Sequence, residues 1–383
     1  MPILPFDISL ARQDMPKFAP VNAPAQGTRM TRLQQVELRL DVSHAIGLDG
    51  PATVFASVVL PAPEALADPA VVCFARPSSS YSRAYYTHAL PGPGSDAQAR
   101  WHAGRGWIFV AVDTLGCAGD ANLDPEALTF AVLAAAADAA EREILARLAN
   151  GVLVDGYPPV GGATVIGLGH SLGGALAIYQ QARHRSYHGV GVLGFSAIHS
   201  HPATAPGAPP VVVAWYPRDA SAGETEPLNA EALDAAGTAE LQGQAAWSSL
   251  AWGFHYDDVP AEIVEADLRH YARIGLAEEE AGSEREPWHA RRTPQRAARA
   301  TLTPGIVAAE AACLTVPVLC ATGARDLVPD PHAEPRAYRS ARSIDVFACP
   351  RMGHVHNFAG TRELLWRRIE AFGAWCAGFR AFA

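Results

Sequence analysis

The chain has few clustered basic residues and no long apolar run. Its 383 residues carry 30 Lys and Arg against 39 Asp and Glu, a formal net charge of −9. No Lys/Arg stripe with interleaved aromatics breaks that acidic balance, so nucleic acid is not expected as a partner. No apolar stretch approaches the roughly 20 residues that a membrane helix needs, so no membrane partner is expected either. The first twenty residues hold no basic region followed by an apolar core, and the expected compartment is the cytoplasm. The six cysteines (Cys73, Cys117, Cys313, Cys320, Cys349 and Cys376) show no Cys-x-x-Cys or Cys/His ligand spacing. Neither a zinc site nor a disulfide framework is therefore expected. What remains is globular material, 49% hydrophobic and 18% charged, enough for one large α/β domain with an insertion or for two ordinary domains.

Residues 1–28 are proline-rich and aperiodic and read as an N-terminal arm. Leu33, Val36, Leu38, Leu40 and Val42 alternate as a strand does, and residues 53–60 make a second. The Gly47-Leu48-Asp49-Gly50-Pro51 turn between them predicts a hairpin. Continuous apolar runs at 71–75 and 107–112 predict strands buried on both faces. A helix is expected from an Asp124 cap through about residue 149. Further strands are expected at 190–195, 317–322 and 344–348, and a closing helix buries Leu365, Ile369, Phe372, Cys376 and Phe379 on one face. The rhythm is that of a doubly wound, mostly parallel sheet. It breaks between residues 197 and 312, where helical stretches (228–242, 259–274, 304–313), a charged run at 278–286 and several aromatics predict a cap over the sheet's C-terminal edge. The expected division is a core of residues 29–196 and 313–383 with a cap at 197–312.

Residues 165–174 carry the chemistry. A short apolar strand ends in Gly169-His170-Ser171-Leu172-Gly173, and a small-residue helix follows directly. Glycines flank the serine because such a turn is strained and packs helix against strand closely. It lifts the hydroxyl above the sheet beside a helix N-terminus, which makes Ser171 a candidate nucleophile.

A serine hydroxyl needs a histidine to take its proton and an acid to orient that histidine. In a doubly wound sheet both come from loops after later strands. Asp326 follows the expected strand ending at Thr322, with Asp330 as the rival acid. Two histidines, His354 and His356, share the loop after the next strand; His354 follows Gly353 and is the first choice of base, His356 the alternative. A developing oxyanion needs backbone donors: one at Leu172, and a second in the loop Arg76-Pro77-Ser78-Ser79-Ser80-Tyr81-Ser82.

The order Ser171, Asp326, His354, the Gly-x-Ser-x-Gly elbow and the strand rhythm resemble the α/β-hydrolase superfamily over about residues 30–200 and 301–383. The resemblance implies that fold, with a helical cap insertion. Pro77-Ser78-Ser79-Ser80-Tyr81 is similar to members reading Pro-Gly-Gly-Gly-Tyr, with serines in place of glycines. That points to Ser79 as the second oxyanion donor, with Ser78 as the alternative; Pro77 has no N–H to give. Asp113-Thr114-Leu115-Gly116 resembles the turn after the fourth strand. A serine at the elbow disfavours dehalogenase and epoxide hydrolase chemistry, which use an aspartate there in this superfamily, and the cysteine-dependent dienelactone hydrolases.

The expected activity is a serine hydrolase cleaving a carboxylic ester or lactone through an acyl-enzyme. The alternatives are an acyltransferase or thioesterase with the same triad, or a ligand-binding member without catalysis. Trp215, Trp247, Trp252, Phe254, Tyr256, Tyr271 and Trp288 in the insertion suit a medium-sized hydrophobic substrate. His199, His201, His255, His270 and His289 share no ligand spacing, so no metal is expected, and no nucleotide or flavin motif implies a cofactor. A homodimer is compatible with the chain.

Overall fold

The computed structural model describes residues 33–382 apart from 95, 119–122, 210, 219, 222–224, 238 and 272–285. The expected N-terminal arm and nearly all of the charged run at 278–286 lie outside the described residues. The described residues belong to one compact unit.

The chain opens with the expected hairpin: β1 (Gln34–Asp41) and β2 (Thr53–Leu60) pair antiparallel, Gln34 opposite Leu60, with the short helix α1 (Ser43–Ile46) at the turn. Next come β3 (Val71–Arg76), the short helices α2 (Ala84–Thr87) and α3 (Gln98–Ala103), β4 (Ile108–Val112), α4 (Phe130–Ala149), β5 (Thr164–His170), α5 (Leu172–His184) and β6 (Gly189–Leu193). Among the described residues five α-helices and no strand follow: α6 (Ala230–Ala235), α7 (Ala239–Phe254), α8 (Ala261–Tyr271), α9 (Gln295–Ala300) and α10 (Ala308–Cys313). Then β7 (Val318–Gly323), β8 (Ile344–Cys349) and α11 (Arg362–Ala381) close the chain.

The eight strands form one sheet in the order β1-β2-β4-β3-β5-β6-β7-β8, parallel from β4 to β8. Both faces are covered, which is why the central strands are apolar throughout rather than alternating. On β3, Val72 and Phe74 enter the layer formed with α4 and α5, while Val71, Cys73 and Ala75 enter the opposite layer with α3 and α11. The C-terminal ends of β3, β5, β6, β7 and β8 therefore share one edge, and their loops meet there.

Several features differ from the sequence reading, among them the expected helix at 228–242, which is divided between α6 and α7. Helix α4 starts at Phe130, because Thr129 caps it by accepting the Val132 N–H; Asp124 instead accepts from Glu126 N–H in a separate turn. Strand β6 ends at Leu193, where Gly194 takes a positive φ of 56° and turns the chain. On α11, Leu365, Ile369, Phe372 and Cys376 are buried, but Phe379 is only partly so.

Candidate active site

Ser171 sits between the end of β5 and the start of α5 with φ 54° and ψ −118°. A non-glycine residue held there costs of order 1–3 kcal/mol, and the surroundings have to impose it. They do so from two sides. Its N–H donates to the Leu193 carbonyl at 2.8 Å, and its own carbonyl accepts from Gly174 and Ala175 in the first turn of α5. Gly173 is required by close approach: a Cβ there would lie 2.5 Å from the Arg76 carbonyl oxygen and 2.7 Å from that of Pro77. The start of α5 is thereby seated under the loop that follows β3. Leu172, as the first residue of α5, has an N–H with no intrahelical acceptor.

Asp326 follows β7 and its side chain is fully buried. Its Oδ1 accepts from Leu327 N–H and from His354 Nδ1–H, and its Oδ2 from Gly323 N–H and from His356 Nε2–H, all at 2.7 Å. The two histidines that the sequence presents as alternatives are thus both on the acid, through different nitrogens. The carboxylate can only accept, so it fixes both tautomers. His354 keeps Nε2 as its lone-pair nitrogen. His356 is left with Nδ1, which is buried and has no partner among the described residues. Burial pushes the Asp326 carboxyl up, but His354 and His356 outweigh it and hold the group well below the usual carboxylate range. Neighbouring Arg325 is committed elsewhere: it pairs with Asp257 and lies over the rings of Trp252 and Tyr256. Asp330 caps the turn at Pro331–Arg336 by accepting from His332 N–H.

A third histidine, which the motif reading passed over, joins the nucleophile to this group. His170 donates Nε2–H to the His354 carbonyl at 2.7 Å, and its ring centroid is 4.7 Å from that of His354 and 4.9 Å from that of His356. Burial, with His354 and His356 beside it, pushes His170 well below its ordinary value, so it is neutral. It stacks on Tyr85 at an interplanar angle of 7°, and the Tyr85 hydroxyl accepts from Asn357 N–H in the histidine loop. Gly194, next to the Leu193 that holds Ser171, faces the same group: a Cβ there would be 3.0 Å from His354 Nδ1. Ser171 is 7% exposed. No hydrogen bond joins Ser171 Oγ to either ring among the described residues, a bond that commonly tightens only in a Michaelis complex.

The loop after β3 makes a turn in which Ser78 O accepts from Tyr81 N–H at 3.1 Å. The carbonyl and N–H of a trans peptide point in opposite directions. With the Ser78 carbonyl turned toward Tyr81, the N–H of Ser79 faces away from that bond.

The segment between β6 and β7 touches this edge at several places. Gly253 and Phe254, at the end of α7, accept from His354 and Val355 N–H at 2.8 and 3.0 Å. Asp267 of α8, fully buried, accepts from Tyr81 Oη–H at 2.7 Å, His255 Nε2–H at 2.9 Å, His289 Nε2–H at 2.9 Å and Trp288 Nε1–H at 3.2 Å. Burial raises this carboxyl, yet the bonds from His255 and His289 hold it well below the usual range. Among the described residues, no group of three or more His, Cys, Asp and Glu side chains could hold a metal ion; around Asp326 and Asp267 the rings point at the carboxylate instead.

The aromatics of this segment do not form one patch. Phe254 packs on His354 with centroids 4.9 Å apart, Trp288 belongs to the Asp267 cluster, and Trp247 is 44% exposed. Tyr271 and His270 have side chains outside the described set. An apolar cavity of about 220 Å³ is lined by Leu250, Phe254, Val211, Val213 and Leu327, with Asp326 also in its wall. Among the described residues, no helix is long and apolar enough to cross a membrane.

A strained serine at a strand–helix elbow, on an eight-stranded sheet of this order, defines the α/β-hydrolase fold. No family model matches the chain, and no curated protein matches it in sequence. Solved structures do. Proline iminopeptidase of Mycobacterium smegmatis is similar with a TM-score of 0.53 at 15% identity, over 89% of this chain and 98% of that one. A haloalkane dehalogenase loop variant from Bradyrhizobium elkanii gives a TM-score of 0.49 at 14% identity, over 91% and 98%. A bromoperoxidase from Bacillus anthracis gives 0.48 at 11%, over 87% and 100%.

Proposed function

We propose that the chain is a serine hydrolase that cleaves a carboxylic ester or lactone of a medium-sized hydrophobic substrate through an acyl-enzyme on Ser171. The observation that carries this reading is the bond from His354 Nδ1 to the buried Asp326, which leaves the opposite nitrogen of that ring as a base next to the elbow. In the first half-reaction His354 Nε2 takes the Ser171 proton while Oγ bonds to the substrate carbonyl carbon. The carbonyl electron pair moves to oxygen, and the resulting oxyanion accepts from the N–H groups of Leu172 and Ser79. The pair returns, the C–O bond to the alcohol breaks, and the leaving oxygen takes the proton from His354. Water then repeats the sequence on the acyl-enzyme and releases the acid. Asp326 stays ionised and holds the imidazolium in place.

The segment between β6 and β7 acts as a cap in this reading, and the apolar cavity beside Phe254 supplies binding energy for the hydrophobic part of the substrate. A fluorophosphonate probe followed by peptide mapping tests the nucleophile. Labelling of Ser171 alone is expected, together with a loss of at least about three orders of magnitude in ester turnover for Ser171→Ala. A panel of p-nitrophenyl esters and lactones, run with and without an acceptor alcohol, separates hydrolysis from acyl transfer. Labelling elsewhere, or an active Ser171→Ala, overturns the proposal.

A further inference from the structure

We infer that Asp267, in the segment between β6 and β7, is a positioning residue for the oxyanion donor Ser79, acting through Tyr81. The inference rests on the hydrolase reading above and adds to it a residue that never touches substrate.

The argument starts from the turn that contains Ser79. The direction of the Ser79 N–H is set by the peptide plane between Ser78 and Ser79, and that plane is fixed by the bond from Tyr81 N–H to the Ser78 carbonyl at 3.1 Å. A four-residue turn of this kind is marginal when left alone in water, and serines give it no conformational restriction of the kind proline would. Its last residue, however, is anchored by its side chain. The Tyr81 ring is fully buried and its hydroxyl is bonded to Asp267 Oδ2 at 2.7 Å. Two imidazoles and an indole hold the same carboxylate from other directions.

The backbone of the turn is tied to the same stretch of chain. Tyr81 and His289 form an antiparallel bridge, Ala290 N–H donates to Ser80 O at 3.0 Å, and Ser82 N–H donates to Trp288 O at 2.7 Å. Thr293 Oγ1 donates to Ser79 O at 2.9 Å. Asp267 is the shared point of this arrangement: Tyr81 on the loop and Trp288 and His289 on the facing stretch all donate to it. Removing it takes the shared side-chain anchor from both sides of the bridge at once, leaving only the main-chain and Thr293 bonds to hold the turn. An oxyanion donor is useful only if it is already aimed where the charge develops. Loosening it should therefore lower the rate of the chemical step while leaving ground-state binding nearly unchanged.

The experiment compares Tyr81→Phe, which deletes one hydroxyl, with Asp267→Asn and the double variant. Active sites are counted by titration with a fluorophosphonate, so that misfolded protein does not enter the rate. Expected per titrated Ser171 is a fall in kcat of about 10- to 100-fold in each single variant, with KM within about threefold. The double variant should lose little more than Asp267→Asn, because the two share one bond. If Asp267→Asn does not fold, Tyr81→Phe alone decides. Unchanged kcat per active site in Tyr81→Phe, with or without a lower melting temperature, assigns Asp267 a purely structural role and overturns the inference. The hydrolase reading itself fails differently, by absence of Ser171 labelling in the unaltered protein.

Discussion

The imidazole of His170 donates its Nε2–H to the main-chain carbonyl of His354 at 2.7 Å. The residue just before the nucleophile thus grips the backbone of the candidate base, while the N–H of that same residue is held from the other side by Gly253 O. The two loops are set relative to each other by this bond, made through Nε2–H of a ring whose Nδ1 is buried without a partner among the described residues.

His354 and His356 should separate cleanly on substitution. His354→Ala removes the only Asp326-bonded ring whose Nε2 is left over, and a loss of about three orders of magnitude in kcat is expected. His356→Ala removes one of four bonds to Asp326 and should cost about 10-fold or less, with the Ser171 labelling retained. Measuring ester turnover of both variants decides; the opposite ranking would reverse the assignment.

His102 offers a test through acid stability. It is buried between the rings of Trp107 and Phe109, and neither ring nitrogen has a partner among the described residues. Burial, with a smaller push from Arg105, takes it down to about 3. The unfolded chain therefore binds this proton first as pH falls through about 6.5, and stability present above that pH drains away toward pH 3. His102→Phe should lose about 2 kcal/mol less stability than the unaltered protein between pH 7 and pH 5. Chemical denaturation at the two pH values checks it, and parallel losses in the two proteins would contradict it.

Selectivity should follow the cavity beside Phe254 rather than the tryptophans as a set. Leu250→Trp fills that cavity, and the ratio of kcat/KM for octanoate over acetate p-nitrophenyl esters is expected to fall at least about 10-fold. Trp247→Ala, at an exposed position, should leave the ratio unchanged and stability within about 0.5 kcal/mol. A uniform loss on all esters in Leu250→Trp would mean that the substrate does not use this space.

Local geometry made part of this molecule readable from its residues. The elbow was readable because a backbone as strained as that of Ser171 leaves glycines around it, and the parallel sheet because strands covered on both faces cannot alternate. Asp124 misled as a helix cap because an aspartate that closes a turn on its own backbone looks the same in sequence as one that opens a helix. His354 and His356 looked like rivals since spacing says nothing about which nitrogen each ring presents. Asp267 gave no signal at all. It is one of several acids on a surface-like helix, and its donors at positions 81, 255, 288 and 289 converge only after the chain has folded back.

The bond between Thr293 and Ser79 joins residues 214 positions apart. A ribosome emitting this chain delivers the elbow and the loop after β3 long before the stretch that fastens that loop. The nascent molecule can hold a finished-looking half sheet and still have no site. The same separation constrains inheritance: a helical insertion transplanted from another member of the fold would arrive without a match for Tyr81. Loop and insertion are therefore expected to change in step through descent, as one part written in two places.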